Sequence, residues 1–156
     1  IVEVCAIEVD EAFNEIDSFH AFINPQRKVP WFVTRIHGLN NEFLDDKPIF
    51  SDIGRDLLLF LEGSELWAHN MSFDAGMLNA EFARNRLPTL EKVDCRLNCT
   101  LQLARSTFPG QKNSLDALLD RFAIDRSERR LHGAMIDTRL LVKVYQNLVS
   151  YRTKTS

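Results

Sequence analysis

The sequence predicts an α/β protein with a mixed sheet flanked by helices. Two observations carry that expectation. The N-terminal part alternates apolar and polar residues with a period of two, the mark of half-buried strands. The remainder carries apolar stripes at three- and four-residue spacing, broken by short apolar runs between turn residues, so helices alternate with short strands.

Taken in order, residues 1–9 read as a strand, with Val2, Val4 and Ala6 on one face. Residues 17–24 read as its hairpin partner, ended by Asn24-Pro25. Residues 25–48 hold the breakers Pro30, Gly38 and Pro48 around a short helix near Val33–Ile36. Ser51 is placed to cap a helix through Leu61, with Ile53, Leu57, Leu58 and Leu61 as its apolar stripe and Gly63 as its stop. Glu65–Ala68 is a short buried strand. Asn70 or Ser72 caps a helix to about Arg86, closed by Leu87-Pro88, and Lys92–Cys95 reads as a further strand. Leu97–Thr107 is helical up to Phe108-Pro109-Gly110. Ser114 caps a helix over 115–122, and Gly133 or Ala134 opens the last helix, to about Leu148.

The 156 residues fit one domain, 1–156, with 45% apolar and 26% charged residues, which is enough to bury a core. Ile1 already lies inside the alternating run and is no initiator Met, so the chain reads as trimmed at its N-terminus. No apolar run approaches the roughly 20 residues a membrane helix needs. The three cysteines, with no Cys-x-x-Cys pair, fit reduced thiols in the cytoplasm and predict no disulfide. The net charge is -3, whereas a protein that coats nucleic acid nonspecifically is usually basic. Nucleic acid would be handled at a local cleft, with cations screening phosphates from carboxylates.

Two His-to-Asp runs stand out: His69-Asn70-Met71-Ser72-Phe73-Asp74 and His132-Gly133-Ala134-Met135-Ile136-Asp137. Five helical residues span about 140° of rotation, so the second pair converges only if His132 lies in the loop and Asp137 in the first turn. There Asp137 can bind a hard cation and His132 can take a proton from an attacking water. The plainer alternative is an acid stabilised by the helix dipole beside a surface His. Asp74 has the same two readings, after the buried run Leu66-Trp67-Ala68. Thr34-Arg35-Ile36-His37-Gly38-Leu39 is a polar loop able to wrap a nucleotide, or a plain connection. Trp31-Phe32 could stack a base but reads first as packing. Lys28, Arg35, Lys112 and Arg129-Arg130 read first as solvated charges, and His20 as structural.

The ordered set is more specific than any member. Thr34-x-x-His37-Gly38-Leu39, His69-Asn70-x-x-Phe73-Asp74, Phe108-Pro109-Gly110 with Asn113-Ser114-Leu115-Asp116-Ala117-Leu118, and Leu131-His132-Gly133-Ala134-x-x-Asp137 follow one another from Ile1 to about Leu148. In this the chain resembles the DEDDh 3′→5′ exonucleases, most closely the proofreading (epsilon) subunits of bacterial DNA polymerase III. The resemblance implies a ribonuclease-H-like fold and hydrolysis with two divalent cations, Mg²⁺ or Mn²⁺. It implies Asp74 and Asp137 as metal ligands and His132 as general base. It implies Thr34, His37, Gly38, His69, Asn70 and Phe73 around the terminal nucleotide. The implied partners are a single-stranded DNA 3′ end and the polymerase III catalytic subunit. The alternatives within reach are a related exonuclease acting on RNA 3′ ends and a catalytically inactive binding domain. The family's first motif is an Asp-x-Glu on a strand preceding residues 1–9. None of Glu3, Glu8, Asp10 or Glu11 forms it, so the first strand reads as missing and the site as short of anionic ligands.

Overall fold

A computed structural model describes residues 1–27, 39–127 and 133–155. β1 (Glu3–Val9) and β2 (Glu15–Phe22) pair antiparallel, with Val4 opposite Ala21 and Ala6 opposite Phe19. The Asp10 carboxylate closes the turn between them by accepting from the N–H groups of Ala12 and Asn14, both at 2.9 Å. β3 (Glu65–Ala68) and β4 (Arg96–Cys99) pair parallel, with Leu66 opposite Leu97. The mixed character expected of one sheet is thus divided, among the described residues, between an antiparallel and a parallel pair.

Side-chain alternation places both pairs in one layer. Val4, Ala6, Phe19 and Ala21 pack against one core, and so do Leu66, Ala68, Leu97 and Cys99. That core is built with α2 (Phe50–Leu61) and α3 (Met71–Arg84), through Leu57, Leu58, Leu61, Ala75 and Phe82. The opposite face of both pairs meets α6 (Ala134–Thr155): Cys5 Sγ lies 3.5 Å from Met135 Sδ, and the rings of Trp67 and Tyr145 stack 4.4 Å apart. A second core joins α6 to α4 (Thr100–Thr107) and α5 (Leu115–Arg121), through Ala104, Phe108, Leu118, Leu119, Leu140, Val144 and Leu148. Each fully buried leucine stabilises the fold by about 1.5–3 kcal/mol. The result is helices, strands and helices in three layers, as an α/β sequence demands.

Beyond a two-residue shift of β2, expected over 17–24, toward its turn, four elements differ from the sequence expectation. α1 (Asn41–Asp45) falls in the expected loop, and its signal was local: Asn40 Oδ1 accepts from the Phe43 N–H at 2.8 Å. α2 begins at Phe50, so Ser51 lies inside it, and the Asp52 carboxylate takes up the Ile49 N–H at 3.2 Å. Lys92–Cys95 is no strand. A 3₁₀ turn covers Glu91–Val93, Asp94 turns left-handed, and pairing with β3 claims Arg96–Cys99 from the expected helix. α6 runs on to Thr155, because Tyr151 packs on Phe108 at 4.9 Å and Arg152 reaches Ser106 Oγ and Thr107 Oγ1 at 2.9 and 3.0 Å. The helix expected near Val33–Ile36 lies outside the described residues.

Candidate active site

The short strand β3 delivers His69 and Asn70 to the start of α3. His69 is held at both ring nitrogens. Nε2 lies 2.7 Å from the Asn113 carbonyl oxygen, and Nδ1 lies 2.9 Å from Thr100 Oγ1. A carbonyl only accepts, so Nε2 carries the proton and, in the neutral ring, Nδ1 accepts from the Thr100 hydroxyl. Burial lowers the His69 pKa; the bond to Asn113 opposes that shift without cancelling it. Thr100 is fully buried at the head of α4. His69 therefore binds three segments together: the β3–α3 junction, the β4–α4 junction and the loop before α5. Both of its ring nitrogens are thus taken up inside the fold.

Asn113 organises the other end of that link. It is buried, and its Nδ2 donates to the carbonyls of Phe108 and Gln111, both at 3.1 Å. Its Oδ1 accepts from Arg121 Nη1 at 3.0 Å, and Arg121 also lies over the Phe108 ring. The next residue, Ser114, caps α5 by accepting from the Ala117 N–H at 3.1 Å. The Phe108–Ser114 motif thus builds a rigid loop that holds His69.

Asn70, the residue before α3, is left-handed, with φ 81° and ψ 60°. Asn is among the residues that tolerate this. The turn leaves Asn70 exposed and Phe73 62% exposed, large for an aromatic ring on a helix. Asp74 follows in the first turn, half-buried, and burial raises its carboxyl pKa. Among the described residues no hydrogen bond or ion pair is made to that carboxylate. Cys99 sits against the same turn, with Sγ 3.4 Å from the Met71 nitrogen. Burial raises its thiol pKa, but backbone N–H groups of Met71, Gln102, Asn70 and Leu101 together outweigh that and lower it.

Asp137 lies half-buried in the first turn of α6, its N–H bonded to the Gly133 carbonyl at 3.0 Å. That turn is fastened to β1. Glu3 Oε1 accepts from the Ala134 N–H at 3.2 Å, and Glu3 Oε2 lies 2.7 Å from His20 Nε2. Sequence reasoning passed over Glu3. The one available signal was alternation, which puts it on the face away from Val4 and Ala6.

Five of the expected site residues are therefore placed. His69, Asn70, Phe73 and Asp74 are brought together at the start of α3, and Asp137 opens α6. His132, Thr34, His37 and Gly38 lie outside the described residues, as do Lys28, Trp31, Phe32, Arg35, Arg129 and Arg130. A carboxylate desolvated without a countercharge, as Asp74 is, suits a cation. Yet among the described residues no three His, Cys, Asp or Glu side chains gather as a metal site.

Residues 1–145 match the model of the exonuclease family of RNase T type, and the chain belongs to that family. Among its relatives is a DNA polymerase III subunit epsilon of Pasteurella multocida, 38% identical over 98% of this chain and 60% of the relative. That of Rickettsia conorii is 45% identical over 97% of this chain and 66% of the relative. That of Rickettsia typhi is 42% identical over 99% and 68%. The chain thus spans about two thirds or less of the length of most of these relatives. Exonuclease X, solved in complex with 5′-overhanging duplex DNA, is 26% identical with a TM-score of 0.71, covering 96% of this chain and 82% of that one. Exonuclease I, at 18% identity and a TM-score of 0.81, covers 95% of this chain and 36% of its own, and shares the fold.

Proposed function

We propose that the protein is a metal-dependent 3′→5′ exonuclease that removes nucleotides from DNA 3′ ends, as a polymerase-proofreading subunit does. The observation that carries this reading is the likeness, at 38–45% identity over nearly the whole chain, to relatives described as DNA polymerase III subunit epsilon. The start of α3 supports it chemically, with an exposed ring at Phe73 beside a half-buried carboxylate at Asp74.

In this reading Asp74 and Asp137 share one cleft and hold divalent cations, Mg²⁺ or Mn²⁺, together with carboxylates that the described residues do not supply. Bound there, the cations would activate the attacking water and stabilise the leaving 3′ oxygen. The protein's own groups do the rest. His132 takes the proton of the water. Phe73 stacks on the terminal base, a contact worth about 1–3 kcal/mol and tolerant of sequence. Asn70 offers its amide to the terminal nucleotide, and Thr34, His37 and Gly38 close the pocket. His69 keeps Asn70, Phe73 and Asp74 in place. The natural partners are a single-stranded DNA 3′ end and the catalytic subunit of DNA polymerase III, in the cytoplasm. No described helix is long and apolar enough to cross a membrane.

The test is the encoded protein on a labelled DNA primer with a mismatched 3′ end, in Mg²⁺, beside an RNA strand of equal length. Stepwise loss from the DNA 3′ end, abolished by Asp137→Asn, is the expected result. Asparagine keeps the shape of the ligand and loses its charge. Unchanged DNA, or degradation that survives Asp137→Asn, overturns the reading. Preference for the RNA strand overturns the DNA assignment alone.

A further inference from the structure

Glu3 stands apart from every expected site residue, yet it touches the turn that carries one. Its side chain is only 11% exposed, on a strand whose other face is packed into the core. Its two oxygens are divided. Oε1 accepts from the Ala134 N–H at 3.2 Å, across 131 positions of chain, and Oε2 meets His20 Nε2 at 2.7 Å. Ala134 is the first residue of α6, so its N–H is one of the donors that a helix start leaves without an intrahelical partner. A carboxylate at that place also opposes the positive end of the helix dipole. His20 sits opposite Cys5, on the face of β2 that shares this side of the hairpin, and its ring is held edge-on by Phe22 at 4.9 Å. Cys5, two residues along β1 from Glu3, meets Met135. The start of α6 is thus fastened to β1 by two successive contacts.

What makes this more than a helix cap is the position of Asp137. It lies three residues after Ala134, about 4.5 Å along the axis and near the same face. A shift of the first turn carries the Asp137 carboxylate with it, and a misplacement of about 1 Å can cost about 10²-fold in rate. We propose that Glu3, held by His20, is a positioning residue for the exonuclease reaction: its carboxylate fixes the first turn of α6, and through it the Asp137 carboxylate. This rests on the proposed function for its kinetic consequence, but not for the contact itself.

The experiment compares the encoded protein with Glu3→Gln and Glu3→Met. Glutamine keeps an acceptor for the Ala134 N–H, and its amide can donate to a His20 ring in the other tautomer. Methionine keeps the volume and removes the acceptor. Two readouts are taken: kcat and KM on a DNA strand in Mg²⁺, and hydrogen exchange of the Ala134 amide without metal or DNA. Glu3→Met is expected to lower kcat about 10- to 100-fold with KM within about threefold, while Glu3→Gln stays within about threefold of the parent on both. The Ala134 amide should exchange slowly in the parent and in Glu3→Gln, and fast in Glu3→Met. Parental kcat in Glu3→Met, or equal losses in both variants, overturns the proposal. If the parent itself degrades no DNA, the proposed function fails, and slow exchange that persists in Glu3→Met then overturns the contact as well.

Discussion

His69 shows how much one residue of a motif does by holding others. Replacing it with Ala leaves the Asn113 carbonyl and the buried Thr100 hydroxyl without their partner. The expected cost is about 2–6 kcal/mol, at about 1–3 kcal/mol for each of the two polar groups stranded, read as a lower urea midpoint. The same residue predicts a pH effect. Its folded pKa is lowered, so between that value and the unfolded one, about 6.5, the unfolded chain binds more protons. Stability is therefore lost as pH falls from about 6.5 toward the folded value, and His69→Ala should flatten that slope. Asp74 works in the opposite sense. Its raised pKa means the folded chain binds more protons just above the ordinary carboxylate range, so ionising it there costs stability as pH rises. Asp74→Asn should raise the melting temperature at neutral pH while abolishing nuclease activity. A lowered melting temperature would show that the carboxylate has a stabilising partner. His132→Ala should cut turnover by about 10²–10⁴-fold and leave DNA binding near normal, the usual loss of a general base. Near-normal turnover would remove His132 from the reaction.

Among the elements, the short ones depend on their ends. α5 is seven residues long, too short to persist alone, and Ser114 supplies its N-terminal acceptor. Ser114→Ala should cost about 1 kcal/mol, measured by denaturant titration. A change of a few tenths would mean that Leu118 and Leu119, both fully buried, hold α5 without the cap. Between α2 and β3 the chain turns at Gly63, left-handed at φ 69° and open around its missing Cβ, its N–H bonded to the Val93 carbonyl at 2.9 Å. Both signals were readable, because a cap or a left-handed turn acts within a few residues. β4 was not. Arg96–Cys99 contains Leu97 and Cys99 as its only inward residues, and four residues of alternation cannot be told from the start of a helix. Its state was decided by β3, some thirty positions away.

In the molecule as a whole, two cores lie on opposite faces of one strand layer. Leu57 belongs to the first and Leu118 to the second, and both are fully buried. Each truncated to Ala should cost about 2–5 kcal/mol. Because the two share no cluster, the double variant should lose the sum within about 0.5 kcal/mol; a clear departure would mean that α6 couples the cores. The three cysteines are free, with Cys95 buried and bonded through Sγ to the Leu61 carbonyl at 3.2 Å. A reducing agent should leave the melting temperature unchanged, and a drop of several degrees would reveal a disulfide.

By itself the sequence determined the α/β class, most helices, the hairpin and the ordered motifs that mark the exonuclease family. Period and capping are local signals, and a spaced set of His, Asp, Asn and Gly residues is legible in one dimension. What only the tertiary structure decided is how those residues reach one another. Alternation could say that Glu3 and Val4 face opposite ways, but not that the start of α6 lies against Glu3. The motif could mark His69, but not that its nitrogens would be claimed by Thr100 and by the Asn113 carbonyl. Those contacts join segments 31, 44 and 131 positions apart. They exist because the two cores bring strands and helices together, and that packing leaves no periodic trace in the chain.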